Sequence, residues 1–136
     1  MRGSLVFAAA LWATAASGAP SGEIQVELNK LESVGEGCRV YLLFENGIEE
    51  SLRSLKLDLV MFDQESVIAR RLAVEGGPLA AGKTVLKVFD VPDLPCSALS
   101  RVLLNDVPAC AAAEGERSDC LEVVETSSRT DAEFIK

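Results

Sequence analysis

The feature that most constrains the fold is a recurring alternation of apolar and polar residues along the chain. In three segments, apolar residues occupy every second position, so that they share one face of an extended strand. These positions are Ile24, Val26 and Leu28, then Cys38, Val40, Leu42 and Phe44, then Leu55, Leu57, Leu59 and Met61. A period of two is typical of half-buried β-strands and does not fit a helix. The pattern therefore predicts sheets with one buried and one exposed face.

Further segments have the composition of strands and are separated by turn signals such as Asn46-Gly47 and Gly76-Gly77-Pro78. The additional predicted strands are Val67–Val74, Thr84–Val91 and Arg101–Val107, and the segment Leu55–Asp63 is the longest predicted strand. Short strands without an amphipathic helix of normal length predict an all-β fold, an immunoglobulin-like β-sandwich of about seven strands. A small barrel is the alternative.

We place this single domain at residues 20–126. Residues 121–126 fit either a strand or a short helix, and residues 127–136 are predicted to form a flexible tail. Arg70 and Arg71 interrupt strand Val67–Val74 on both faces. Charge of this kind protects a sheet edge from unwanted pairing, so we predict an edge strand there and take Arg70 and Arg71 as a candidate interaction edge.

The N-terminal segment has the layout of a secretory signal peptide. Arg2 precedes an apolar run, and small residues follow up to Ala19. The run is about half as long as the roughly 20 residues that a membrane-spanning helix needs. Residues 1–19 are therefore predicted to be a signal peptide, which implies a periplasmic or secreted protein without stable membrane insertion after cleavage.

The four cysteines, Cys38, Cys96, Cys110 and Cys120, all follow the predicted signal peptide. An even number of cysteines in an exported chain indicates disulfides. Three pairings are possible, and we favour Cys38 with Cys96 and Cys110 with Cys120, because the second pair closes a short polar loop. A zinc site is disfavoured because the chain has no Cys-x-x-Cys and no His.

The charge of the chain is strongly acidic. The formal net charge is −8, and removal of residues 1–19, which include Arg2 and no acidic residue, would leave −9. Such a charge repels phosphate backbones and anionic lipid headgroups. We therefore predict no binding to nucleic acid or to membrane surfaces.

One motif is misleading. The segment Gly77–Thr84 fits the phosphate-binding loop pattern G-x-x-x-x-G-K-T letter for letter. That pattern binds nucleotides only where a helix follows the loop and its backbone N–H groups face the phosphates. Here the following residues, 85–91, alternate and include three Val and a Phe, which predicts a strand. We therefore interpret Gly77–Thr84 as a connection between strands.

Catalytic chemistry has little support in the sequence. Without His, the common general base and the Ser-His and Cys-His pairs are absent. Acidic residues lie near two predicted turns, namely Asp58, Asp63 and Glu65, and then Asp90 and Asp93. Such residues usually bond to their own turns, and a weak calcium site is the alternative. We predict that the chain is not an enzyme and binds no cofactor.

A resemblance supports the fold. The stretch Cys38–Val91 resembles the bacterial immunoglobulin-like domains of the FxLYD type, through Asn46-Gly47, Leu59–Asp63 and Leu79–Lys83. In the second of these motifs, Leu59 stands where Phe is usual, Met61 where Leu is usual and Phe62 where Tyr is usual. The whole chain is also similar to small uncharacterised exported proteins of alphaproteobacteria. Neither resemblance implies an activity.

Together these features predict a protein-interaction or accessory module of the cell envelope that contacts an envelope protein. The alternative is a periplasmic protein that binds a small ligand or calcium through its acidic loops.

Overall fold

The alternating segments form strands in the computed structural model, which describes residues 3–5, 9–12 and 20–136. Most of the predicted signal peptide, residues 1–19, lies outside the described residues. In the described part of the chain the strands are β1 (Ile24–Val34), β2 (Gly37–Asn46), β3 (Leu52–Phe62), β4 (Ile68–Glu75), β5 (Thr84–Val91), β6 (Arg101–Ala112), β7 (Gly115–Glu116), β8 (Val124–Ser128) and β9 (Glu133–Ile135). A 3-10 helix (Cys96–Ala98) and the helix α1 (Cys120–Val123) complete the described elements.

The strands form two sheets that pack face to face as a β-sandwich. The first sheet has the order β5-β2-β1-β8, and the second has the order β4-β3-β6-β7 with β9 also paired to β6. The chain passes from β2 to β3 and β4 in the other sheet. It then returns to place β5 beside β2, and crosses again to place β6 beside β3. This Greek-key order is typical of immunoglobulin-like sandwiches.

The core lies between the two sheets and consists of the apolar residues that alternate along the strands. Ile24, Val26 and Leu28 of β1 are fully buried, and so are Leu57 and Leu59 of β3. Each inward side chain of this size contributes roughly 1.5–3 kcal/mol through removal of its apolar surface from water. The prediction of an all-β sandwich with one buried face per sheet is confirmed.

Two disulfides tie the short helical segments to the strands. Cys38 at the start of β2 bonds to Cys96 in the 3-10 helix, with their Cα atoms 4.8 Å apart. Cys110 in β6 bonds to Cys120 at the start of α1, with a Cα–Cα distance of 6.4 Å. This is the pairing that we favoured from the sequence. Such bonds persist in oxidising compartments and are rare in the cytosol, so the protein belongs to the extracytoplasmic class.

The C-terminal residues differ from the sequence-based expectation of a flexible tail over residues 127–136. Residues 127 and 128 belong to β8, which pairs in parallel with β1. The strand β9 pairs in parallel with β6 and places Phe134, which is 5% exposed, in the core. Burial of one aromatic ring fixes the segment, and a single apolar residue in a polar stretch gives no alternation from which to predict it.

The ambiguous segment 121–126 contains both of the predicted structures. Helix α1 ends at Val123, and β8 begins at Val124, which is fully buried. The described helices are all too short to cross a membrane.

Candidate interaction surface

Strand β4, which carries Arg70 and Arg71, is an edge strand, as its charge pattern predicts. It pairs with β3 alone among the strands that the structure describes. Arg70 lies opposite the buried Met61 and so belongs to the inward face, whereas Arg71 lies opposite Val60 on the outer face. The two cations therefore occupy opposite faces of the strand.

Both arginines are engaged by the domain itself. The Arg70 guanidinium donates to the carbonyl oxygen of Ala69 at 2.7 Å and to those of Pro92 and Asp93 at 3.3 Å each. Arg71 donates two hydrogen bonds to the Asp58 carboxylate, at 2.9 and 3.0 Å. The side chain of Arg71 is 67% exposed. Arg70 thus spans the gap from β4 to the loop after β5, and Arg71 remains accessible from solvent.

The Asp58 carboxylate is held by two donors on neighbouring strands. Besides Arg71 on β4, the amide of Asn105 on β6 donates to it at 2.8 Å. These hydrogen bonds, that from Arg71 first, lower the pKa of Asp58 below its ordinary value. The carboxylate is therefore a structural cross-link over β4, β3 and β6.

We expect the substitution Asp58→Asn to remove an acid-sensitive part of the stability. The folded-state pKa lies below the unfolded value of about 4, so the ion pair stabilises the fold above about pH 4. This contribution is lost as the pH falls through the lowered folded-state pKa. Urea unfolding should show wild type more stable than the variant at neutral pH, with a difference that shrinks on acidification. A difference independent of pH would contradict this role for the carboxylate.

Strand β5 is the edge of the first sheet opposite β8, and it pairs with β2 alone among the described strands. Its outward side chains include Leu86, 51% exposed, and Val88, 46% exposed. Each lies beside a half-buried apolar residue of β2, since Leu86 is opposite Leu43 and Val88 is opposite Tyr41. We call these four residues the β5 patch.

The exposed residues of the β5 patch also carry the free main-chain groups of the edge. Where the pairing of β2 with β5 begins, at the N-terminal end of β5, the Asn46 N–H donates to the Lys83 carbonyl oxygen at 3.0 Å. Along an antiparallel strand, the main-chain N–H and C=O groups of successive residues point alternately toward the neighbouring strand and away from it. Every second residue of Val85–Phe89 therefore bonds to β2, and the N–H and C=O groups of Leu86 and Val88 face the open side.

Charges border the β5 patch at both ends, and they differ. At one end Asp90 accepts hydrogen bonds from Arg39 at 2.7 and 3.1 Å, and this pair lowers the pKa of Asp90. At the other end Glu45 lies opposite Thr84 and is exposed. Within the described residues Glu45 has no ion pair. The acidic residue at one end of the patch is thus paired with a cation, whereas Glu45 at the other end has no cationic partner within the described part of the chain.

The segment Gly77–Thr84 is a packed connection between the two edges. A side chain at Gly77 would lie 2.8 Å from the Arg53 carbonyl oxygen, so only glycine allows this approach. Leu79 is fully buried and forms a bridge with Leu52. The strand β5 follows, as the alternation predicts, so the helix that a phosphate-binding loop needs is replaced by a strand.

Three of the acidic residues considered for calcium, Asp58, Asp63 and Asp90, bond to their own turn or to neighbouring strands. Asp63 accepts hydrogen bonds from the N–H groups of Glu65 at 2.9 Å and Val67 at 3.0 Å, which closes the β3–β4 turn. Asp58 and Asp90 are paired with arginines. Across residues 3–5, 9–12 and 20–136, no group of three acidic, His or Cys side chains converges on a metal position.

A polar cleft of about 680 Å³ lies at the end of the sandwich beside Cys96. Its cations have partners, since Lys30 pairs with Glu32 at 3.3 Å and Arg129 pairs with Glu27 at 3.3 Å. The two cations that line the cleft are therefore already engaged within the domain.

Comparison with protein-family models, curated proteins and solved structures found no match to the chain. The resemblance to FxLYD-type domains therefore stays a prediction.

Proposed function

We propose that the protein is an exported module of the cell envelope that binds a partner protein through the open sheet edges of its sandwich. The observation that carries the proposal is the pair of edge strands β4 and β5, joined across the gap by Arg70 and by Lys87, whose ammonium donates to the Gly77 carbonyl oxygen at 3.4 Å. Two unpaired edges on one side of a domain provide main-chain donors and acceptors for an added strand.

The compartment in this proposal is the periplasm or the cell exterior. Two disulfides and the signal-like N-terminal segment support it, because oxidising conditions and export accompany each other. The partner is an envelope protein, in keeping with an acidic chain that repels nucleic acid and anionic lipid.

A binding role is favoured over catalysis by the state of the titratable groups. The chain has no His, and three of the carboxylates near the turns are engaged, since Asp58 and Asp90 are held by arginines and Asp63 by turn N–H groups. A catalytic acid or base needs a free position near a bound substrate. Asp58 and Asp63 are instead used to hold the sandwich together.

We expect photo-crosslinking in intact cells to detect the partner. A benzophenone amino acid is placed at Val67 beside β4, at Leu86 on β5, or at Glu114 in the turn between β6 and β7 at the opposite side of the second sheet. Val67 is 59% exposed and Glu114 is also exposed, so accessibility does not separate them. One discrete adduct should form from Val67 or Leu86 and not from Glu114. Absence of an adduct at both edges, in cells that export the protein, would contradict the proposal.

A further inference from the structure

We infer that β5 is the docking strand, and that its ligand is an extended antiparallel segment of the partner with two apolar residues at alternate positions followed by Lys or Arg. The inference rests on the proposed function and names the edge and the chemistry of the ligand. It follows from the β5 patch, from the main-chain groups of Leu86 and Val88 that face away from β2, and from Glu45, which has no ion pair among the residues that the structure describes.

Strand β4 is the less suitable edge, because it carries several features that disfavour strand addition. Arg70 points inward on this edge strand, and its guanidinium donates a hydrogen bond to the carbonyl oxygen of Ala69. That oxygen is therefore already bonded when an added strand approaches. The register with β3 also shifts between Met61 and Phe62, which distorts the first residues of β4. Inward charges and bulges are devices that block edges. On β5 the inward Lys87 donates to the Gly77 carbonyl oxygen and not to a main-chain group of its own strand. The outward positions within the β5 patch are aliphatic, and the register of β5 with β2 is continuous from Cys38 to Glu45.

The two apolar residues of the ligand follow from the side chains that an added strand would contact on the outer face of the sheet. An added strand would place every second side chain on the outer face, beside Leu86 and then beside Val88. Behind these lie Leu43 and Tyr41, so that each row offers two apolar neighbours. Aliphatic residues at two alternate positions of the ligand would remove both exposed side chains from water. Cross-strand pairs of this kind are the unit by which sheets are stabilised.

The basic residue of the ligand follows from the side chains at and behind Thr84. The side chain of Thr84 is short, and Glu45 lies directly behind it with no ion pair among the described residues. A Lys or Arg that faces Thr84 can reach across it to the Glu45 carboxylate. In an antiparallel ligand this residue comes after the two apolar ones, so the motif reads apolar, any residue, apolar, any residue, basic.

A second copy of the chain does not meet these requirements. Antiparallel pairing of two β5 strands that brings Leu86 of each copy opposite Val88 of the other would place Asp90 of the second copy beside Thr84. That aspartate is bound to Arg39 of its own copy and offers no basic group to Glu45. The two Lys87 residues would also face each other at the centre of the ladder. Like charges placed opposite one another destabilise a strand pair, so a different protein is the occupant.

The test uses the exported, oxidised protein and the synthetic peptide Ser-Thr-Val-Thr-Val-Thr-Lys, blocked at both ends, with a second peptide that ends in Glu. Binding is followed by amide chemical shifts in NMR spectra. We expect the Lys peptide to shift the Leu86 and Val88 amides, and the Glu peptide to bind about tenfold more weakly. In the variant Glu45→Lys, the preference should reverse.

Edge-blocking variants identify the strand. Leu86→Pro removes a main-chain N–H that faces solvent, which an edge strand tolerates. Ala73→Pro is the matched variant on β4. The Gly76 N–H donates to the Leu55 carbonyl oxygen, so every second residue counted from Gly76 directs its main-chain groups toward β3. The N–H of Ala73, three residues earlier, therefore faces away from β3. Binding should be lost in Leu86→Pro and kept in Ala73→Pro. Leu86→Asp, which keeps the N–H, should also lose binding and serves if the proline variant does not fold.

The outcomes separate the inference from the proposed function. Loss of binding in Ala73→Pro alone, no shift of the β5 amides with the Lys peptide, or an unchanged preference in Glu45→Lys would overturn the inference. Crosslinking from Val67 or Leu86 in cells would still uphold the proposed function in those cases. A lack of crosslinks at both edges would overturn the proposed function itself.

Discussion

Replacing Leu59 with alanine is expected to lower the free energy of unfolding by about 3 kcal/mol. Leu59 is fully buried in the centre of β3, between Leu72 of β4 and Leu104 of β6. Both neighbours are fixed by their own strands, so the cavity left by the missing methyl and methine groups cannot collapse. Urea denaturation monitored by circular dichroism measures the loss.

The matched control is Leu86→Ala, a change of the same residue type on another strand. Leu86 is half exposed on the outer face of β5, so its truncation should change the stability by no more than about 0.5 kcal/mol. The contrast tests which side chains of the alternating strands point into the core. Equal losses in the two variants would mean that the assignment of inner and outer faces is wrong.

Removal of the Cys38–Cys96 disulfide by the double substitution Cys38→Ala and Cys96→Ala should lower the free energy of unfolding by about 4 kcal/mol. The two cysteines are 58 residues apart, and opening so long a loop gives the unfolded chain much conformational freedom. Cys38 is also buried, at 1% exposed, so the lost sulfur adds a packing defect. Unfolding by guanidinium chloride under non-reducing conditions measures the effect.

The second disulfide provides the comparison. Cys110 and Cys120 are 10 residues apart, so the variant Cys110→Ala with Cys120→Ala should lose about 3 kcal/mol, less than the first pair. Non-reducing peptide mapping of the wild-type protein should recover Cys38 with Cys96 and Cys110 with Cys120. Free thiols in the native protein, or the reverse order of destabilisation, would contradict the assignment.

Where alternation is regular, the sequence was sufficient to predict the strands. The predicted and observed bounds of β5 coincide at Thr84–Val91, and the inward position of Cys38 follows from its phase with Val40 and Leu42. The edge position of β4 follows in the same way from its two arginines. For Cys38 the information lies in the period of two that burial on one face imposes, for β5 in strand-forming residues between turns, and for β4 in its charges.

Where the register shifts, the pattern is interrupted and the sequence-based bounds fall short. β1 continues to Val34, past an irregularity between Leu28 and Lys30, whereas its alternation stops at Leu28. β6 similarly continues to Ala112 after register shifts in its pairing with β3. A bulge moves the following side chains to the other face, so a search for strict alternation misses the second half of the strand.

The candidate surface was predicted only in part. Arg70 and Arg71 identified one edge. The β5 patch was missed because β5 has apolar residues on both faces of the strand. Val85 and Phe89 are partly buried while Leu86 and Val88 are exposed, and their composition alone does not distinguish the two sets. The available signal was the excess of apolar residues itself, since a strand with one buried face needs only one apolar set.

Hydrogen exchange of the β5 amides tests most directly whether this strand is an ordered edge open to a partner. In the free protein, we expect the amides of Val85, Lys87 and Phe89 to exchange slowly, because they bond to β2, and those of Leu86 and Val88 to exchange rapidly. Uniform protection along Thr84–Val91 would mean that the edge is already covered. Uniformly rapid exchange would mean that β5 is not a stable strand, and either result would contradict the proposed mode of binding.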